Sequence, residues 1–303
     1  MHRKFAAWLV GQPWRAFFIG ACLAALSPQG FSPFALVASA AAILVILFGD
    51  APGAVTRGMT VAVVSFAVAV GTLLSIRQPV PVAAGLAAMA FLGPALLGVL
   101  LKRTGSLTLC FQLAVLCMSL LLVGIYATLD NPSAVWEQLL RDAVTSLKAS
   151  GVNLANPEEI IPGFARTMWG AYAALVLLGT LSSLFLARWW QSLLEAPGGF
   201  GDEYRELRLG RVLGVVAMAI IVTAALVDIE LVDCLSWIAM SALAYQGLAA
   251  AHRRKAARQM GQGGLVAIYV CLIVPLSAFV MVTLLAAWGV ADNWRQFKGA
   301  AGA

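Results

Sequence analysis

Apolar residues along this chain fall in continuous blocks, at about 16–27, 34–48, 56–76, 81–101, 106–128, 164–187, 212–230, 234–251 and 264–289, broken at charges, glycine or proline. Most blocks approach the roughly 20 residues that an α-helix needs to cross a bilayer. They are rich in Ala, Leu and Val and lack the short alternating segments of a β-barrel. The pattern predicts an all-α, polytopic transmembrane helix bundle of eight or nine segments with short amphipathic interfacial helices. The first two blocks are short. They read as two short crossings or one re-entrant hairpin, and both return the chain to the side it left.

Composition agrees. Hydrophobic residues make up 61% and charged residues 11%, against roughly 25% charged in an ordinary globular protein. A backbone in lipid must satisfy its own hydrogen bonds, which helices do. The chain reads as a single integral membrane domain over 1–303, with two longer loops at 129–163 and 188–211. Residues 5–12 precede the first block and read as interfacial, with Trp8 and Trp14 at headgroup level.

Charge then orients the bundle. With the N-terminus in the cytoplasm, fourteen Lys and Arg residues fall on the cytoplasmic side and six outside: Arg77, Arg141, Lys148, Arg166, Arg295 and Lys298. This is the asymmetry of the positive-inside rule. It accounts for the net charge of +6 without a nucleic-acid partner. The bilayer is the partner that composition requires.

Both loops carry helical signals. Asn131-Pro132 reads as N-cap and first helical residue. Val135, Trp136, Leu139, Leu140, Val144 and Leu147 then form one apolar face, and Gly151 stands at the position of a C′ glycine. An amphipathic helix here lies on the membrane or lids the bundle. In the cytoplasmic loop Pro197 and three glycines break the chain, and Asp202 and Glu203 suit the first turn of a helix. Phe200, Tyr204 and Leu207 share a face. The stretch reads as a solvated interfacial helix, or as a docking surface for a cytoplasmic or membrane partner formed by Phe200, Glu203, Tyr204, Arg205, Arg208 and Arg211.

Chemistry is sparse. The predicted spans hold essentially no ionisable residue, where ion pathways and proton relays place them. Asp228, Glu230 and Asp233 form an acidic mouth near the outer surface, a candidate for receiving a cation. His2 and His252 are the only histidines, no GxSxG, HExxH or GxxxxGK[ST] is present, and Leu47-Phe48-Gly49-Asp50 lacks the first glycine of a GxGD motif. The five cysteines stand singly in apolar segments and read as small packing residues. The expectation is no enzyme, no cofactor and no metal. Gly20, Ala21, Ala24 and Ala25 give the first block a small-residue stripe that permits close helix approach.

The segment from Gly199 to Arg211, GFGDEYRELRLGR, precedes an apolar span. With the broken first hairpin, the outer amphipathic loop and the basic loop before the last block, it resembles the YybS-like family of polytopic bacterial membrane proteins in its proteobacterial branch. The resemblance implies a bacterial inner-membrane location and carries no catalytic residue. The family is distantly similar to the substrate-binding subunits of energy-coupling-factor vitamin transporters, where small-residue motifs dock a membrane partner and an outer loop lids the ligand. Two departures stand out: more spans than the usual six, and no evident aromatic cluster for a ligand. The expected function is that of a scaffold, assembly or regulatory subunit. The alternative is a small-molecule transporter or its substrate-binding subunit, using an external ATPase or no nucleotide.

Overall fold

The computed structural model describes residues 2–27, 32–48, 53–152 and 155–301, and every regular element among them is helical. Residues 28–31, where sequence breaks the first hairpin, and Gly49 and Asp50 lie outside the described residues. The helices are α1 (His2–Gly11), α2 (Pro13–Ala25), α3 (Pro33–Leu47), α4 (Ala54–Ser75), α5 (Val80–Ala87), α6 (Gly93–Thr104), α7 (Leu107–Thr128), α8 (Pro132–Ala149), α9 (Pro157–Glu195), α10 (Gly199–Arg205), α11 (Gly210–Leu226), α12 (Glu230–Ala256), α13 (Gln262–Ile273) and α14 (Pro275–Ala301). Six helical stretches are long and apolar enough to cross a membrane, or seven with the broken pair α10 and α11 counted as one. The eight or nine segments read from sequence include α2 and α3, which are apolar but shorter, as is α13, read there as one crossing together with α14.

Contacts gather into two compact units, residues 1–114 with 175–206, and residues 115–174 with 207–303. In the first unit, α3 and α6 run parallel, with residues Ser39, Ile43 and Ile46 meeting Ala90, Gly98 and Lys102 in turn. The cause of one contact is Pro94. Proline lacks an N–H and pushes against the carbonyl four residues back, and the helix widens into a π-turn at Ala88–Leu92 just before it. The Ala90 carbonyl is thereby released, and the buried Ser39 hydroxyl donates to it at 2.6 Å. A serine repairing a proline break is what a helix in lipid requires. Gly58 lets α4 sit against the Ala42 carbonyl and Ile46 of α3. The core between them is small-residue packing, with Ala24, Ala35, Ala38, Ala69, Ala87 and Ala90 around Phe91.

In the second unit the connection after α12 departs from expectation. The block 264–289, read as one crossing, is two helices. Val274 is extended (φ −80°, ψ 116°), as a residue before proline prefers, and Pro275 starts a new helix. The order of contacts shows that α14 runs parallel to α12. The Trp237 and Phe279 rings lie 6.4 Å apart near one end. Gly247 and Gly289 seat α12 and α14 against each other's backbone in the middle. Arg253 pairs with Asp292 at 2.5 Å near the other end.

Helix α13 therefore turns back alongside α12, where Tyr269 bonds to His252 at 2.9 Å. Phe279, just after the start of α14, meets Trp237 near the start of α12, so α14 begins near the acidic end of α12. Arg295 and Lys298, expected opposite the basic residues Arg253–Arg258, belong to a helix that ends beside them.

Candidate functional site

The acidic triplet sits where α9, α11 and α12 meet in the second unit, and it does not stand alone. Arg166 of α9 pairs with Asp228 and reaches Asp233 at 3.5 Å. The Tyr126 hydroxyl donates to Glu230 at 2.8 Å and lies 3.2 Å from the Cys234 sulfur. Cys234 in turn donates to the Arg166 carbonyl at 3.3 Å. Gly170 makes room for this, since a side-chain carbon there would lie 2.6 Å from the Cys234 backbone. The mouth expected to attract a cation is thus engaged by an arginine and a tyrosine. Sequence did not foresee this, because Tyr126 and Arg166 come from other helices.

The Arg166 guanidinium bonded to Asp228 holds that carboxyl below the usual carboxylate range. A pKa lowered on folding stabilises the fold fully above the unfolded value, about 3.9. That contribution fades as pH falls through the lower folded value. The thermal midpoint of the detergent-solubilised protein is expected to drop on acidification below about pH 4. In Arg166→Gln the Asp228 share of that drop disappears, and an unchanged pH profile in this variant would refute the assignment.

Beside this cluster α8 is built as its sequence reads. Asn131 caps it by accepting from the Ala134 amide at 3.3 Å, and Gly151 follows at φ +86°. The helix is clamped to α9: Trp169 Nε1 donates to the Pro132 carbonyl at 2.8 Å, and Arg141 pairs with Glu158. Trp136 packs edge-on against Trp169, with centroids 5.5 Å apart, and lies 5.9 Å from Tyr172. The chain therefore does hold an aromatic cluster. Trp169 and Tyr172 share a face of α9, but Trp136 comes from α8, and no local pattern joins it to them. The Trp136 Nε1 is buried and has no hydrogen-bond partner among the described residues. Val135, Leu139 and Leu147 of the same apolar face remain exposed.

The candidate docking residues of the loop 188–211 divide between the two units. In the first, Glu203 clasps Arg188 through both carboxylate oxygens, and Arg205 pairs with Asp202. Tyr204 is buried edge-on against Phe185, with Phe200 beside both rings. Phe200, Glu203 and Tyr204 are therefore spent on fixing α10 to α9. A cleft of about 200 Å³ nearby is lined by Leu47, Leu101, Lys102, Gly105, Arg188 and Gln191. Its polar groups serve the end of α3: Lys102 Nζ donates to the Ile46 carbonyl at 2.8 Å and Gln191 Nε2 to the Leu47 carbonyl at 3.1 Å. Cations at a helix C-terminus meet its unpaired carbonyls and negative dipole end. In the second unit, Arg208 and Arg211 are exposed around the start of α11. The small-residue stripe also divides. Gly20 packs on Val61 and Ser65 of α4 and Ala24 joins the alanine core, while Ala25 is exposed and Ala21 half-buried.

Two features were invisible in the sequence. One is a polar layer between α11, α12 and α14. The fully buried Gln246 accepts from the Leu209 amide at 3.0 Å and donates to Asp292 at 3.2 Å. Its amide also lies 3.5 Å from the Asn293 oxygen. Asp292 holds Arg253, so an ion pair adjoins a span expected to be free of charge. The other is the exposed turn between α13 and α14. Ile273 is 79% and Leu276 92% exposed, beside an apolar depression of about 320 Å³. The break is stabilised from within, since the Ser277 hydroxyl donates to the Cys271 carbonyl at 3.0 Å.

Among the described residues no group of three or more His, Cys, Asp and Glu side chains is placed to hold a metal ion. In comparisons with known proteins, no family model, no curated protein and no solved structure matches this chain.

Proposed function

We propose that the chain is a non-enzymatic, multi-pass protein of the bacterial inner membrane that works as a scaffold, assembly or regulatory subunit through lateral contact inside the bilayer. The exposed α13–α14 turn carries this reading. Its carbonyls at Cys271 and Val274 are satisfied from within, so what it offers a neighbour is apolar surface for van der Waals packing in the bilayer. Ile273 and Leu276 project from it, both largely exposed. The surface for a partner is then this face of the second unit rather than 200–211, where the aromatic residues pack inward.

Both histidines support a role without chemistry of their own: His2 packs 5.1 Å from Trp189 and His252 bonds to Tyr269. With α14 returning to the basic end, Arg295 and Lys298 move across, and the basic count becomes sixteen against four. The N-terminus and the end of α14 are both cytoplasmic on this reading.

The test is the protein mass of the complex after mild-detergent extraction. The reading expects more protein than one 31.8 kDa chain, whereas a lone chain in a lipid and detergent belt contradicts it. The second reading, small-molecule uptake, is favoured by the Trp136, Trp169 and Tyr172 cluster under α8. It expects a soluble ligand to alter tryptophan fluorescence in the parent protein and to lose that effect in Trp169→Leu.

A further inference from the structure

Helix α1 and the start of α2 carry positive charge that the fold leaves uncompensated. No Asp or Glu occurs between Arg3 and Phe48. Among the described residues, none of Arg3, Lys4 and Arg15 forms an ion pair. The seating of α1 decides where these charges point. Ala6 and Leu9 are fully buried, and Phe5 packs edge-on against Trp190 of α9 at 5.5 Å. Lys4 and Trp8, one turn apart on the opposite side, are exposed.

The chain bends at Gln12, and Pro13 opens α2. Arg15 then reaches back over Trp8. Its Nη1 donates to the Trp8 carbonyl at 3.0 Å, one of the last four of α1, which have no partner within the helix. The guanidinium carbon lies 5.1 Å from the Trp8 ring and 5.8 Å from the Trp14 ring. Capping the helix uses one donor. An arginine has five, in a planar fork that suits phosphate, and the others meet no acceptor among the described residues.

An apolar track leads away from this charged end. Trp14, Phe18, Cys22 and Ala25 follow at steps of four, four and three residues, on one face of α2, and all are exposed. Trp14 is 59% and Phe18 60% exposed. The track runs about 17 Å, close to one leaflet of a hydrocarbon core about 30 Å thick. A free anion would have no use for it. Fixed cations beside two indole rings, with an apolar track one leaflet long, match an amphiphile with a negative headgroup.

We infer that Lys4, Trp8, Trp14 and Arg15 hold the phosphate of an anionic phospholipid in the leaflet on the N-terminal side, with one acyl chain along the exposed face of α2. The site is independent of the lateral-assembly reading, which the mass of the complex tests separately.

The experiment titrates the full chain in neutral detergent with dioctanoyl phosphatidylglycerol and reads the thermal midpoint. Dioctanoyl phosphatidylcholine supplies the same tails without the net charge, and inorganic phosphate the charge without tails. Phosphatidylglycerol is expected to raise the midpoint at concentrations where the other two do not. Lys4→Gln, at an exposed residue, and Arg15→Gln should each weaken that binding about fivefold. Arg57→Gln, at another exposed arginine of the same unit, should leave it unchanged. Equal effects of the two lipids, or parent-like binding by Lys4→Gln, overturn the inference. So does a loss in Arg57→Gln as large as that in Lys4→Gln, which would mark a general response to charge. An equal effect of inorganic phosphate overturns the lipid assignment in favour of a soluble anion.

Discussion

Gly247→Leu is expected to leave almost no folded protein. Gly247 sits on the backbone carbonyl of Leu285, and Gly289 on that of Leu243, so a side-chain carbon at either position would occupy the space of the facing helix's backbone. A side chain can rotate out of the way, but a helical carbonyl cannot. The helices must separate, and the polar layer and the Arg253–Asp292 pair separate with them. Overpacking costs about 1–3 kcal/mol where a core can yield. This junction has nothing soft to yield, and a domain has only about 5–15 kcal/mol in hand. Gly124, in the interior of α7 with nothing within 4 Å, is the control. There alanine is expected to be neutral or to raise stability by up to about 1 kcal/mol, the helix-propensity difference. Monodisperse yield and thermal midpoint after extraction measure both variants. A Gly247→Leu protein that melts like the parent would exclude the parallel α12–α14 packing.

The second large effect is expected at Gln246. Leucine fills nearly the same volume but removes the acceptor for the Leu209 amide and the donor to Asp292. Leu209 is 1% exposed, so its N–H would lose an acceptor that water cannot replace, at about 1–3 kcal/mol. The cost rises if Asp292 and Asn293 reorganise, because networks of this kind exceed the sum of their pairs. Gln246→Glu keeps an acceptor for Leu209 but sets a second carboxylate beside Asp292. Its defect should deepen as the pH rises and the introduced carboxyl takes on charge next to its acidic neighbour. The leucine variant should show no such pH dependence. Melting at several pH values separates the two, and equal profiles would contradict the assigned network.

How much of this was legible in the chain follows from the range of each interaction. The α8 helix was fully readable, since Asn131, Pro132, the apolar face and Gly151 act within one helix and its caps. Pairing of α10 with its own aromatic face was half readable: the shared side of Phe200 and Tyr204 follows from spacing, but its inward direction depends on Phe185. The break at Val274–Pro275 was concealed by composition. Hydropathy stays high across it, and a proline in lipid marks a kink, a repaired bulge or a reversal alike. At Pro94 the outcome was a π-turn repaired by Ser39; at Pro275 it was a fold-back. Which one occurs depends on contacts dozens of residues away. The same holds for Arg166 with Asp228 and for Arg253 with Asp292, which bring together helices that a one-dimensional reading treats separately.

The fold-back decides where the chain's last helix ends and which surface is left for assembly, and side-specific thiol labelling tests it most directly. Cysteines introduced one at a time at Ser150, Gln259 and Arg295, in a background with Cys22, Cys117 and Cys271 replaced by alanine, are exposed to a membrane-impermeant maleimide in sealed vesicles of known orientation. The α12–α14 arrangement predicts that positions 259 and 295 label from one side and position 150 from the other. Labelling of 295 together with 150 would show that residues 262–295 make one net crossing, and the parallel α12–α14 packing would have to be abandoned.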